Sequence, residues 1–235
     1  GLYISCIEND WCAQGLLYSA GGRIMNEDRS QITFAEPASV EWFRFWQSMV
    51  QSGAHANLAE AQASEAFQAG RLGMVLTTSA VQNSFLNAAR GIFEVGTTGQ
   101  PSFQGRTVIP VNSGAALAIL AKDPLKQRAA WELLKFLTSE RAYSIITSEI
   151  GYLPLRTGIV DDERYLKNWE NRDLILPNLA QLDNLDTTYS YPGQNHLQIR
   201  KFYLDATQKI LFGGEDSEQA LKEAQRRGQE LMPRF

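Results

Sequence analysis

The sequence predicts an α/β fold, because short hydrophobic strands alternate with amphipathic helices along its 235 residues. Hydrophobic residues make up 44% and charged residues 20% of the chain, which is typical of a globular protein with a sizeable core. Four strands are predicted, each separated from the next by a helix or a loop, over residues 2–5, 73–78, 93–96 and 115–120.

Helices are predicted where hydrophobic residues recur at helical spacing between a capping residue and a stop signal. Asp123 followed by Pro124 is a typical start, with an N-cap and a proline in the first turn. Gly151 and the Gly213–Gly214 pair are typical stops. The predicted helices begin after Pro37, near Val81, at Pro124, at Thr138 or Ser139, near Gln194 and at Asp216.

The charge balance and hydropathy exclude several classes of protein. A net charge of −4 and a pI near 5.3 argue against nucleic-acid binding, which needs clustered Lys and Arg. No apolar run approaches the roughly 20 residues that a membrane helix requires. Because Gly1 leads directly into a predicted strand, the chain is expected to be a piece from which targeting information has been removed.

A search for catalytic motifs finds little support for an enzyme. The two histidines lie far apart, at positions 55 and 196, and neither a metal cluster nor a nucleotide loop is recognisable. Neither a cofactor nor a metal is therefore expected. The acidic pairs Glu8/Asp10, Asp161/Asp162 and Asp183/Asp186 are interpreted as solvated capping acids, which leaves a carboxylate-based hydrolase as an alternative without positive support.

Cys6 and Cys12 are the two cysteines of the chain. Their spacing matches neither a metal site nor a Cys-x-x-Cys redox motif. The pair is either two structural thiols or a local disulfide, and the sequence leaves both open.

Several aromatic, hydroxyl, glycine and cationic residues stand at predicted element ends. Each also has a structural explanation: Trp11 as a core ring, Ser79 as an N-cap, Tyr152 as a packing residue and Arg200 as a surface ion-pair partner. The end of a strand that leads into a helix is nevertheless a place where backbone N–H groups hold polar oxygens or anions. The candidate binding residues are Trp11, Thr78, Ser79, Gly114, Tyr152 and Arg200.

Several segments, in this order, resemble family 1 of the extracellular solute-binding proteins, and most of all its sn-glycerol-3-phosphate-binding branch. The resemblance covers essentially the whole chain, but only the C-terminal part of the family pattern. The segments that carry it are EAFQAGRLGMVLTTS (65–79), NSGAALAI (112–119), AAWELLKFL (129–137), GYLP (151–154), QIR (198–200) and the stretch from Gly213 to Leu221.

The resemblance implies a periplasmic-binding-protein-like fold of type II, with two lobes, a hinge and an incomplete first lobe. Residues 1–92 would be the first part of the second lobe. Residues 93–147 would return to the first lobe, and residues 148–235 would complete the second. The missing front of the first lobe would be a separate partner of this chain.

The resemblance also implies roles for individual residues. Trp11 would pack on the carbon face of a ligand, while Thr78 and Ser79 would offer hydroxyls and Gly114 a backbone contact. Tyr152 and Arg200 would hold a phosphate. The sequence departs from the branch in two ways: Ala80 stands where glycine is usual, and Trp11 is one aromatic where the branch offers two.

The expected function is extracytoplasmic or periplasmic capture of a small polar solute for the membrane permease subunits of an ABC importer. sn-Glycerol 3-phosphate or a glycerophosphodiester is the first expected ligand, and a sugar or oligosaccharide is the second. A purely structural module would leave the polar residues at strand ends unexplained.

Overall fold

A computed structural model describes residues 1–233, and these residues form two compact units. Unit 1 comprises Gly1–Thr77, Gln100–Ser113 and the described residues from Asp183 onward. Unit 2 comprises Thr78–Gly99 and Gly114–Leu182. The lobe boundaries predicted at residues 92/93 and 147/148 remain a prediction, and the end of the last predicted part lies outside the described residues.

Unit 1 contains two short parallel strand pairs and five helices. Strand β1 (Leu2–Ile4) pairs in parallel with β2 (Met74–Leu76), and Tyr3 lies opposite Val75. Strand β3 (Val111–Asn112) pairs in parallel with β4 (Asp186–Thr187). The helices of this unit are α1 (Asp10–Ser19), α2 (Pro37–Gln51), α3 (Glu60–Gln68), α8 (His196–Leu211) and α9 (Ser217–Glu230).

The core of unit 1 is built on the aromatic face of α2. Phe43 and Trp46 are completely buried, and the ring of Tyr203 from α8 meets Phe43 edge-on at 5.9 Å. Helix α8 packs along α9 and also against α2. Burying side chains of this size contributes about 1.5–3 kcal/mol each, so this layer holds α8 in a fixed position against α2.

Unit 2 is mainly helical and has a smaller core of Ile159, Val160, Leu166 and Ile175. The predicted caps are confirmed, since the side chains of Asp123 and Ser139 accept hydrogen bonds from the backbone N–H groups of Lys126 and Ala142. Gly151 ends the second capped helix in the left-handed conformation, with φ of 108°. The helices are α4 (Gln82–Ala89), α5 (Pro124–Leu137), α6 (Glu140–Ile150) and α7 (Leu176–Leu179).

Two of the four predicted strands are wrong. Residues 93–96 and 115–120 contain no strand in the part of the chain that the structure describes. A strand needs a neighbour for its backbone N–H and C=O groups, and residues 114–118 are solvent-exposed instead. The short pair β3–β4 forms just before this segment. None of the helices within residues 1–233 is long and apolar enough to span a bilayer.

Candidate functional site

The first polar patch lies at the start of α1 in unit 1. Strand β1 ends at Ile4, and α1 begins at Asp10, with Asn9 as its N-cap residue. Asp10 therefore stands in the first helical turn, where the partial positive charge of the helix N-terminus favours a carboxylate. Trp11 follows and is half-buried, so part of its ring is open to solvent. The predicted aromatic residue thus lies beside an acid in this turn.

A disulfide between Cys6 and Cys12 ties the end of β1 to α1. Both cysteines are buried. Because Cys12 follows Trp11 directly, the bond restricts the turn that carries Trp11 and Asp10. The disulfide therefore fixes the backbone of this patch.

Arg200 reaches the same patch from α8. Its Nε lies 2.6 Å from Asp10 Oδ1, and its Nη2 donates a 3.5 Å hydrogen bond to Asn9 Oδ1. The Asp10 side chain is 16% exposed, so it is not the solvated capping acid that the sequence suggested. Nε is buried and lies at hydrogen-bonding distance from the Asp10 carboxylate, although its N–H is not well aligned for a hydrogen bond. The guanidinium is therefore charge-compensated by Asp10, and the Arg200 side chain is still 34% exposed.

Buried phenols lie close enough to Asp10 to respond to its charge. Burial, together with the negative charge of Asp10, raises the pKa values of Tyr191 and Tyr203 well above their usual range. The Tyr203 hydroxyl is buried and has no hydrogen-bond partner among the described residues. These tyrosines therefore stay neutral at physiological pH and add no charge near the ion pair of Asp10 and Arg200.

Gln14 on α1 fixes the position of the chain segment at Tyr189. Its amide donates to the carbonyl oxygen of Tyr189 at 3.0 Å and accepts from the Tyr189 backbone N–H at 2.9 Å. The hydroxyl of Tyr18 donates to the Gln14 oxygen at 3.0 Å. This network is almost completely buried at Gln14 and Tyr18, which makes it a rigid support for the patch.

The second polar patch lies in unit 2 and joins two of the predicted segments. Thr78 Oγ1 accepts from the backbone N–H of Ala80 at 3.2 Å, which turns the chain after the strand. A Cβ on Gly151 would collide with the carbonyl oxygen of Ser79, so only glycine allows this approach. Tyr152 follows Gly151 and is 41% exposed. Ser79 and the GYLP turn are therefore brought together by one glycine.

Three buried polar atoms lie on helices α4 and α6, which pack against each other beside this turn. Gln82 Nε2, Asn83 Oδ1 and Thr147 Oγ1 are buried and have no hydrogen-bond partner in the described residues. Such groups cost about 1–3 kcal/mol each unless a ligand or water satisfies them. The sequence interpretation missed all three, because a glutamine or threonine at a helical position carries no signal of its own burial.

The predicted site residues thus fall into two groups. Trp11 and Arg200 belong to unit 1, whereas Thr78, Ser79, Gly114 and Tyr152 belong to unit 2. Gly114 is exposed, and no atom lies within 4 Å of a Cβ built on it. Its predicted backbone contact therefore remains a prediction. Within residues 1–233, no cluster of three or more His, Cys, Asp or Glu side chains is arranged to hold a metal ion.

Residues 6–173 match the model of a family described as bacterial extracellular solute-binding proteins. No curated protein matches the sequence.

The fold resembles that of several solved binding proteins. The cyclic alpha-maltosyl-1,6-maltose binding protein from Arthrobacter globiformis aligns with a TM-score of 0.78 and 20% identity, over 98% of this chain and 59% of its own. The sugar-binding protein MalE from Xanthomonas citri gives 0.78 and 19%, over 97% and 57%. UgpB from Mycobacterium tuberculosis, in complex with glycerophosphocholine, gives 0.72 and 20%, over 97% and 57%.

These similarities confirm the predicted fold class, an α/β periplasmic-binding-protein fold of the MalE type. The chain spans 57–59% of the length of these three structures. Two of these structures are described as binding proteins for sugars, and the third was solved with glycerophosphocholine bound.

Proposed function

Because this chain belongs to the family of bacterial extracellular solute-binding proteins, we propose that it belongs to the solute-capturing component of an ABC importer. The protein would work outside the cytoplasmic membrane and deliver a small polar solute to membrane permease subunits. The observation that carries the proposal is the half-buried Arg200, which forms an ion pair with Asp10, the residue that precedes Trp11 in the chain. A partly exposed guanidinium that is paired with the acid preceding an aromatic residue suits a ligand with both oxygen acceptors and C–H faces.

A phosphorylated polyol, either sn-glycerol 3-phosphate or a glycerophosphodiester, is the first ligand that we propose. A guanidinium is a permanently charged, forked donor that suits phosphate oxygens. Trp11 is the further residue of unit 1 that we propose for this ligand. Thr78, Ser79, Tyr152 and, through its backbone, Gly114 remain the candidate binding residues of unit 2. Glycerophosphocholine in the structure of UgpB from Mycobacterium tuberculosis supports this ligand class.

A neutral sugar or oligosaccharide is the second candidate, and a specific contact favours it. Asp10 already compensates the charge of Arg200, and a paired carboxylate and guanidinium offer both acceptors and donors to hydroxyl groups. The sugar-binding proteins from Arthrobacter globiformis and Xanthomonas citri have the same fold. For the rival hydrolase, no comparable observation exists among the described residues.

Titration calorimetry with sn-glycerol 3-phosphate, glycerophosphocholine and maltose tests the proposal. If a ligand binds at Arg200, Arg200→Ala should weaken its binding by about 2–5 kcal/mol, and Arg200→Lys should restore only part of the loss. Arg44→Ala is the matched control, because Arg44 forms an exposed ion pair with Glu218 in the same unit. Equal affinity in the Arg200→Ala and Arg44→Ala variants would rule out the role of Arg200.

A further inference from the structure

We propose that Asp10 is a specificity-determining residue that limits the negative charge a solute can carry at Arg200. The inference rests on the proposed function, because it concerns which members of the proposed ligand classes the same site accepts. It predicts that neutral polyols and monoanionic phosphodiesters are accepted more readily than a dianionic phosphomonoester.

The first support is the placement of the Asp10 carboxylate. It lies 2.6 Å from Arg200 Nε and is 16% exposed, whereas the Arg200 side chain is 34% exposed. The acid is therefore the more enclosed partner, and the guanidinium is the partner that a solute can reach. A solute phosphate at Arg200 would lie within a few ångströms of a carboxylate that is only slightly screened by solvent.

The second support is an excess of negative charge around the same turn. The Asn9 amide donates to Glu60 Oε2 at 3.4 Å, and the Glu60 backbone N–H donates to Glu8 Oε1 at 3.5 Å. Burial and the negative charge of Glu8 raise the pKa of Glu60, which places the two acids within electrostatic reach of each other. Among the described residues, Arg200 is the one cation that forms an ion pair with any of the acids Glu8, Asp10 and Glu60.

The third support is the rigidity of the acid's position. Asp10 occupies the first turn of α1, and the Cys6–Cys12 disulfide restricts the turn around it. The carboxylate is also stabilised by the helix N-terminus. It therefore stays next to Arg200 when a solute arrives, and a second anion would have to bind with the first still in place.

The charges of the ligands predict the order in which their affinities depend on Asp10. A phosphomonoester carries a charge of about −1.5 to −2 at pH 7, because its second ionisation lies near pH 6. A phosphodiester lacks that second ionisation and carries one negative charge, and a sugar carries none. At the effective dielectric constant of a partly buried site, one repelling charge corresponds to roughly tenfold or more in affinity.

The experiment compares the wild-type chain with Asp10→Asn by calorimetry, using maltose, glycerophosphocholine and sn-glycerol 3-phosphate as probes. The amide keeps the size of the side chain but removes the charge. The gain in affinity is expected to be largest for sn-glycerol 3-phosphate, at about tenfold or more, smaller for glycerophosphocholine and near zero for maltose. Asp205→Asn is the matched control, because Asp205 also faces a cation, Lys201, on α8 but is 46% exposed.

Several outcomes would overturn the inference. One is that Asp10→Asn changes the affinity for every probe that binds by the same factor. Another is that Asp205→Asn gives the same gains in affinity as Asp10→Asn. Asp10→Asn should also give no gain in affinity when it is introduced into the Arg200→Ala variant. A gain that persists in this double variant would show that Arg200 is not involved. If Asp10→Asn does not fold, Glu60→Gln replaces it and should shift the same order by a smaller factor.

Failure of the proposed ligand classes is distinguishable from failure of the inference. If none of the three solutes binds either form, these ligands are wrong, and inorganic phosphate becomes the probe. Binding should then broaden the ³¹P resonance of phosphate more in the presence of the Asp10→Asn variant than in the presence of wild type. Equal broadening, or binding to neither form, would overturn the role of Asp10.

Discussion

Units 1 and 2 differ in how far the apolar faces of their helices are buried. In unit 1, Phe43 and Trp46 on α2 are completely buried against α8. In unit 2, the side chains of Leu125, Trp131 and Leu133 on α5 are 55–77% exposed. Both helices are amphipathic, so a hydrophobic stripe predicts a helix but does not say whether its face is covered.

Replacement of a tryptophan by alanine should therefore lower stability strongly in unit 1 and only slightly in unit 2. Trp46→Ala should lower the free energy of unfolding by about 3–5 kcal/mol, because it leaves a large cavity in a dense core. Trp131→Ala removes a ring that is 55% exposed, so the free energy of unfolding should change by about 0.5 kcal/mol or less. Urea denaturation followed by circular dichroism measures both variants. Similar losses would show that α5 is covered in solution.

Local and non-local features of the fold were predictable from the sequence to different degrees. The caps at Asp123 and Ser139 act within four residues, and the helices begin where these caps predicted. The strands predicted at residues 93–96 and 115–120 are absent from the described chain, because hydrophobic residues alone do not provide a pairing partner.

The candidate site shows the same limit. Arg200 was recognisable, but its partner Asp10 is 190 positions away and resembled an ordinary capping acid. The approach of Gly151 to Ser79 was equally hidden, since it depends on how α4 packs against α6. Residue type and position therefore indicated candidates, while their electrostatic partners required tertiary structure.

The disulfide offers a second way to test how unit 1 is held together. Replacing both Cys6 and Cys12 by Ser removes a link between residues six positions apart. The loop-closure contribution for so short a link is about 2 kcal/mol, so the free energy of unfolding should fall by that amount. Chemical denaturation of the double variant measures the loss, and oxidised wild-type protein treated with reductant is the independent control. An unchanged midpoint in both would contradict the stabilising role.

The pH dependence of stability should also originate mainly in unit 1, at His55. This side chain is 1% exposed, and its Nε2 accepts a 3.0 Å hydrogen bond from the Ile4 backbone N–H. Burial lowers the pKa of His55, so the unfolded chain takes up the proton first as the pH falls. The neutral imidazole therefore contributes stability above about pH 6.5, and this stability is lost at lower pH, by at most about 1.4 kcal/mol per pH unit.

Paired variants isolate this contribution. His55→Gln should reduce the loss of stability between pH 7.5 and pH 5.5, whereas His196→Gln, at an exposed position, should leave it unchanged. Denaturation curves at the two pH values give the difference directly. Identical pH dependence in wild type and His55→Gln would assign the effect to other groups.

The smallest effect on stability is expected on the exposed face of α5. Leu133 is 57% exposed, so Leu133→Ser should alter the free energy of unfolding by about 0.5 kcal/mol or less. Exposed apolar side chains nevertheless favour association, and Leu125 and Phe136 extend the same face. Sedimentation velocity should therefore show less self-association for Leu133→Ser than for wild type, with Lys126→Ser on the same helix as the control. A loss of about 2 kcal/mol or more in Leu133→Ser would instead show that this face is buried in the folded chain, which would remove the contrast with unit 1.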